Sequence, residues 1–229
     1  MSYLFDIIHG YIKIDDDDKK FINNSWMKRL KRIKQLGVLD NVFPSASHSR
    51  FEHVLGVYHI AGLYISKLEE NNKRQRKIFT QKEKRCIKLA GLFHDLGHGP
   101  FSHVFDNMVL SNIDAADNIY KDHENRSRLI TERIFEGMSA NEFTGYDIDF
   151  IKDLIEPPDN MLYTDGNNIP HYNIKKAYLY QIINNRVTSI DVDKFDYLQR
   201  DSKHIGLDYT FNYNRILNKS RVYENNIIY

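Results

Sequence analysis

Phe51, Val54, Leu55, Tyr58, Ala61, Gly62, Ile65 and Leu68 recur at the i, i+3, i+4 spacing of one helix face and predict a helix of about five turns. A second helix is expected over 81–93, with Cys86, Ile87, Ala90 and Phe93 inward and with Gly97, Gly99 and Pro100 breaking it. A third starts near Asp122, carries Ile130, Ile134 and Phe135 inward, and ends at Gly137. A fourth covers 148–155 and stops at Pro157-Pro158. Two more, near 175–184 and 189–201, follow a polar loop at 164–168. Strand-like alternation is confined to 10–14 and to 221–229. The pattern predicts a mainly α fold with minor β elements at the two ends, as one domain over 1–229. The last segment, with Val222, Ile227 and Ile228, has no turn or cap after it, so an edge strand without a hairpin partner is expected there. Such a strand implies a covering partner chain or a longer parent domain. The run Asp15-Asp16-Asp17-Asp18 is expected to be a solvated turn or helix start, where carboxylates suit the dipole.

Composition narrows the class without naming a chemistry. The chain has 229 residues, 41% hydrophobic and 28% charged, enough for a sizeable core without covalent staples. The single cysteine, Cys86, forbids an intramolecular disulfide and a cysteine-rich zinc site. No apolar run is long enough to span a bilayer, and the first residues show no basic or hydrophobic signal region. An intracellular, cytoplasmic protein is expected, with nuclear placement left open and no membrane partner. A net charge of +1 gives no overall pull toward nucleic acid. The local basic run Met27-Lys28-Arg29-Leu30-Lys31-Arg32-Ile33-Lys34 suits a solvated helix face first and phosphate or single-stranded nucleic acid second.

The chemistry concentrates around histidine and aspartate. His94-Asp95-Leu96-Gly97-His98-Gly99-Pro100-Phe101-Ser102-His103 places imidazoles and a carboxylate where a helix is expected to end. Adjacent His and Asp side chains, about 100° apart on a helix, can reach one cation only at such an end. Imidazole with carboxylate suits one divalent Mn, Fe, Zn, Co or Mg ion rather than soft copper. Taken alone the pair also suits a structural role; His53, on the first turn of the long helix, and Asp193 are the further ligands a site would need.

The ordered set His53, His94-Asp95 and Asp193 resembles the signature of the HD-domain metal-dependent phosphohydrolases. Three longer runs resemble the deoxynucleoside triphosphate triphosphohydrolase branch with SAM and HD domains. They are Phe43-Pro44-Ser45-Ala46-Ser47-His48-Ser49-Arg50-Phe51-Glu52-His53, the run from His94 to His103, and Ile190-Asp191-Val192-Asp193-Lys194-Phe195-Asp196-Tyr197. The resemblance spans nearly the whole chain. It implies that His53, His94, Asp95 and Asp193 hold one divalent ion, and that a dNTP is hydrolysed at the α-phosphorus to deoxynucleoside and inorganic triphosphate. It also implies that His123 protonates the leaving 5′-oxygen with Glu124 orienting it. His103 and Asp106 would then lie by the attacked phosphorus, with His98 touching phosphate. For the substrate it implies Gln35 and Leu36 beside the sugar, Arg50 and Lys194 on phosphates, Tyr197 under C2′ and Asp201 on the 3′-hydroxyl. Helical spacing independently sets Asp193, Tyr197, Arg200 and Asp201 on one face.

The family pattern is not followed everywhere. Phe5, Asn23, Lys28 and Lys31 stand where the family's regulatory guanine-nucleotide site has other residues, so activation by GTP in the familiar form is not expected. The family domain continues past the position of Tyr229, which implies a chain shortened at its C-terminus and missing part of the substrate wall and oligomer interface. A homo-oligomer is expected from the family. Two other readings stay open: an HD phosphohydrolase for another nucleotide or a phosphodiester, and a weakly active homologue that binds nucleotides, nucleic acid or a partner chain.

Overall fold

The computed structural model describes residues 2–73, 78–113, 120–136, 138, 142–158, 174–208 and 211–229. The expected loop at 164–168, Gly137 as the expected end of the third helix, and residues 74–77 lie outside them. Among the described residues the chain is mostly helical, with one two-stranded antiparallel sheet at each end.

Strands β1 (Ser2–Asp6) and β2 (Gly10–Ile14) form the first hairpin, with Phe5 opposite Tyr11. Ile12 and Ile14 turn into the core, which makes β2 legible; β1 exposes Tyr3, Leu4 and Phe5 and buries only Asp6, so its pattern shows no inward apolar face. A 3₁₀ turn at Asp16–Asp18 leads into α1 (Lys19–Ile22). The expected solvated turn or helix start holds for Asp15, Asp16 and Asp17, which are exposed, and is corrected at Asp18. Asp18 is fully buried and accepts hydrogen bonds from Tyr58 Oη at 2.9 Å and Arg85 Nε at 2.8 Å. α2 (Ser25–Leu30) starts where the Asn24 side chain accepts from the Met27 amide at 2.9 Å. Met27 and Leu30 face inward, while Arg29 donates to the carbonyls of Leu96 and His98.

Helix α3 (Arg50–Asn71) opens with a Ser49/Glu52 capping box and α4 (Gln81–Phe93) with a Thr80/Glu83 box. α3 is buried well beyond the predicted stripe: Val57, Ile60 and Tyr64 are as covered as Val54 and Leu68, which marks the central helix of the core. α4 and α7 (Val192–His204) pack against it, and α6 (Gly145–Ile155) joins α4 to α5 (His123–Glu136). α6 begins before the expected 148 because Thr144 and Asp147 form a capping box. The segment expected near 175–184 is a 3₁₀ helix, Ile174–Gln181, interrupted at Lys176. Ser189 sits at φ 56°, which no helix interior accepts, so α7 starts after the Asp191 cap. No helix among the described residues is long and apolar enough to cross a membrane.

The C-terminal segment corrects a second expectation. After α8 (Asn214–Lys219), β3 (Arg221–Tyr223) and β4 (Asn226–Ile228) pair with each other, Val222 opposite Ile227. The turn between them uses Glu224 and Asn225 at φ 44° and 65°, the backbone a tight two-residue hairpin needs. Without a glycine, the turn escaped the pattern. The supposed lone strand has its partner within the chain, and Gln181 Oε1 further holds the Ile227 amide at 2.8 Å.

Phe21, Phe93, Phe135 and Phe143 form one aromatic cluster at ring separations of 5.0–6.2 Å. It ties the N-terminal helices to α4 and α5. Phe21→Ala should cost about 3–5 kcal/mol in denaturant unfolding, the range for emptying a buried aromatic site. A loss below about 1 kcal/mol would show that the cluster does not carry the packing.

Candidate metal centre

Four segments deliver the site. α3 begins at Arg50, so Arg50 and His53 stand one turn apart and both are buried. α4 ends at Phe93, and the following turn carries His94, Asp95 and His98. Gly97 is what lets α5 close on that turn: a Cβ there would lie 2.1 Å from the His123 carbonyl oxygen and 2.6 Å from the Ser127 nitrogen. Ser127 Oγ instead accepts from the Gly97 amide at 2.8 Å and donates to the His94 carbonyl at 2.5 Å. Asp191 caps α7 by accepting from the Lys194 amide at 3.0 Å, which sets Asp193 in the first turn.

His53 Nε2 and His94 Nε2 converge to 3.3 Å, and Asp193 Oδ1 lies 2.9 Å and 3.4 Å from them. The outer nitrogens are already placed: His53 Nδ1 lies 2.8 Å from Asp196 Oδ2, and His94 Nδ1 lies 2.9 Å from the Gly91 carbonyl oxygen. Each Nδ1 therefore carries the proton, and two Nε2 lone pairs face each other beside a carboxylate. Such a donor set fits a divalent cation, and the three ligand atoms lie within 4.8 Å of one another. Asp95 stands at the edge, its Oδ1 3.4 Å from His94 Nε2 and its Oδ2 3.7 Å from His53 Nε2. Burial alone would lower the His53 pKa; Asp193 and Asp196 outweigh it and raise it to about 10. The cavity thus favours positive charge, held by a proton on His53 Nε2 when no metal is bound, and a divalent ion would supply it in that proton's place. Burial works against ionised Asp95 too, but Arg50, His94 and His98 hold its carboxyl well below the usual range.

A second cluster abuts the first. His98 reaches Asp95 Oδ1 at 3.3 Å, stacks on His123 at 3.8 Å between ring centres, and lies 5.1 Å from the His103 ring. Asp106 Oδ2 lies 3.2 Å from His123 Nδ1, and Glu124 Oε1 lies 3.2 Å from His123 Nε2. Expectation gave the orienting role to Glu124 alone; the structure puts a carboxylate on each nitrogen, with Arg126 anchoring Asp106. Burial pushes the His98 imidazole down to about 3, and burial followed by His123 and Arg50 lowers His103, so both stay neutral at pH 7.

The substrate candidates form a connected rim. Arg50 donates to Asp95 and, through Nε, to Ser102 Oγ at 2.9 Å. Phe101 and Ser102 sit at φ 64° and 55°, turning that hydroxyl inward, where it also donates to the Gln35 carbonyl at 3.3 Å. The Gln35 amide donates to the His48 carbonyl at 3.0 Å, and His48 Nε2 donates to Asp201 Oδ1 at 2.7 Å. Leu36 and Tyr197 are half-buried, and Lys194 Nζ lies 3.8 Å from Asp191. Burial, then Asp193, Asp191 and Asp201, push the Tyr197 phenol up to about 12. Gln35 Oε1 and His98 Nδ1 are buried without a hydrogen-bond partner among the described residues.

One expectation is corrected. Arg200, read as sharing the face of Asp193 and Tyr197, is fully buried and points away, to Asp196 and Asp6. The residues to which sequence reasoning gave no role are those behind the site: His9, Asp6, Asp196, Ser102, Arg126 and Ser127. Asp196 and Arg200 stand i, i+4 on α7, a signal that was readable. His9 has no such sequence signal.

The HD domain family model matches residues 50–170. The chain is 40% identical over 231 residues to an HD domain-containing protein of Acanthamoeba polyphaga mimivirus, covering 96% of this chain and 47% of that one. It is 36% identical over 224 residues to the deoxynucleoside triphosphate triphosphohydrolase SAMHD1 homolog of Dictyostelium discoideum, covering 98% of this chain and 40% of that one. It is also 36% identical over 239 residues to human deoxynucleoside triphosphate triphosphohydrolase SAMHD1, covering 98% and 36%. The chain spans less than half the length of these relatives.

His94→Ala should abolish binding of Mn or Co, followed by titration calorimetry, whereas His123→Ala should keep it. Equal loss in both variants would show that the donor set is wrongly divided between the two clusters.

Proposed function

The chain belongs to the HD domain family, and on that premise we propose that it hydrolyses deoxynucleoside triphosphates at the α-phosphorus, releasing deoxynucleoside and inorganic triphosphate. The observation that carries this reading is the junction of the two clusters at Asp95 and His98, which sets metal donors beside proton-handling imidazoles. The comparison with dNTP triphosphohydrolases supports the substrate class.

His53, His94, Asp95 and Asp193 would hold one divalent ion, whose chemistry is to polarise a phosphoryl oxygen and acidify water. The chain's own groups do the rest. Asp193 is 35% exposed at its side chain, so the donor set opens toward solvent and substrate. Neutral His98 directs its one ring proton, on Nε2, to Asp95 Oδ1, so its unpartnered Nδ1 meets the phosphate group as an acceptor, for a water or a protonated phosphate oxygen, without importing charge. His103 and Asp106 flank the phosphorus. His123, with Asp106 on Nδ1, hands the Nε2 proton to the departing 5′-oxygen, and Glu124 steadies that proton. Arg50, fixed by Asp95 and Ser102, and Lys194, at the opening, neutralise phosphates. Gln35 and Leu36 border the sugar, and Asp201, oriented by His48, accepts from the 3′-hydroxyl. Tyr197 lies one helical turn after Asp193 and packs under C2′, where a ribose hydroxyl would collide.

Metal-loaded protein incubated with each dNTP and NTP should release inorganic triphosphate from dNTPs only. Release of orthophosphate or pyrophosphate, or turnover of a cyclic or linear phosphodiester instead, would replace this reading by another HD phosphohydrolase reaction. Tyr197→Ala should narrow the dNTP-over-NTP ratio of kcat/KM by about tenfold, the scale at which a pocket senses one small group. An unchanged ratio would remove Tyr197 from the sugar.

A further inference from the structure

Asp196 is fully buried, out of contact with water, and accepts from three side chains at once. His53 Nδ1 donates to its Oδ2 at 2.8 Å and His9 Nε2 to its Oδ1 at 2.6 Å. Arg200 adds Nε to Oδ2 at 2.8 Å and Nη2 to Oδ1 at 3.0 Å. The remaining Arg200 nitrogen, Nη1, donates to Asp6 Oδ2 at 2.8 Å. Asp6 Oδ1 in turn accepts the amides of Ile8 and His9 at 2.8 Å and 2.9 Å, closing the turn between β1 and β2. Gly56, one turn after His53 on α3, makes room: a Cβ there would lie 1.8 Å from Asp196 Oδ1 and 2.7 Å from Arg200 Nη2.

The hydrogen bonds have a direction. Tyr213 Oη lies 3.3 Å from His9 Nδ1 and donates to it, which leaves the His9 proton on Nε2, aimed at Asp196. Asp196 receives that proton on one oxygen and the His53 Nδ1 proton on the other. The second bond keeps the His53 Nε2 lone pair turned to Asp193 and His94. The side chains of His9, Asp196, Arg200 and His53 are each at most 1% exposed, so water cannot stand in for a lost partner.

We infer that His9, carried by the N-terminal hairpin, is a positioning residue for the metal ligand His53, acting through Asp196. The hairpin turn is then part of the metal's outer shell, although it lies far from His53 in sequence and touches no donor atom of the site. The inference rests on the metal site of the proposed function and adds a component that neither the ligand set nor the family match contains.

The test reads metal binding directly, without substrate. In the full chain, His9→Ala should weaken Co binding by about 10- to 100-fold, the range for losing an outer-shell partner, and shift the Co absorption bands. His9→Gln, which keeps a donor at similar reach, should stay within about threefold of the unsubstituted protein. Phe5→Ala is the control for simple loosening, because it breaks the exposed Phe5–Tyr11 contact of the same hairpin without touching Asp196; it should leave Co binding unchanged. Equal weakening in Phe5→Ala and His9→Ala, or unchanged affinity and bands in His9→Ala, would overturn the inference. Should His9→Ala not fold, His9→Asn, too short to reach, should bind Co more weakly than His9→Gln; equal affinities would overturn it. No Co binding by the unsubstituted protein would overturn the metal site as well, whereas tight binding without dNTP turnover would sink only the proposed reaction.

Discussion

A carboxylate that carries its charge with no access to water is the constraint on which this molecule is built. Asp196 meets it by receiving four hydrogen bonds from His53, His9 and both faces of the Arg200 fork. Those donors come from α3, the N-terminal hairpin and α7, so satisfying one side chain brings three separate parts of the chain together. The same arrangement determines which nitrogen of His53 is free. The candidate metal donors therefore take their orientation from how a buried charge is paired behind them.

The architecture around that pairing is economical. α3 is the axis, buried on most of its circumference, and it offers His53 to the centre and Gly56 to the space Asp196 needs. The end of α4 releases the His94 and Asp95 side chains in one turn, and Gly97 admits the start of α5 so that His123 can stack on His98. Each of these is a local backbone event, a helix end or a missing Cβ, with a consequence several ångströms away in the site. The two imidazole groups meet at Asp95 and His98, which sets the candidate metal donors beside the second cluster.

Much of this was legible in the chain. The helix over 81–93 was expected with the bounds it has, because an apolar stripe and a glycine stop agree; the Thr80/Glu83 box that starts it was found only in the structure. The long helix was found from its stripe, but its burial on further sides was not, since a stripe reports only the side facing the first neighbour. Short elements escaped: α1 and α2 are too brief for a period, and the C-terminal hairpin turns on Glu224 and Asn225 rather than on glycine. Asp18 was misread for a related reason. In a row of four aspartates nothing marks the one that meets Tyr58 and Arg85.

The sequence by itself determined the fold class and the set of histidines and aspartates worth suspecting, because helical periodicity and residue chemistry are local properties. It also placed Asp196 and Arg200 within bonding reach, as any i, i+4 pair on a helix must be. Only the tertiary structure decided that Arg200 turns from the site toward Asp6, and that a histidine in the first hairpin completes the shell behind His53. Hydrogen bonds between residues 9, 53 and 196 join side chains whose approach depends on how whole helices pack, and no spacing along the chain encodes that distance.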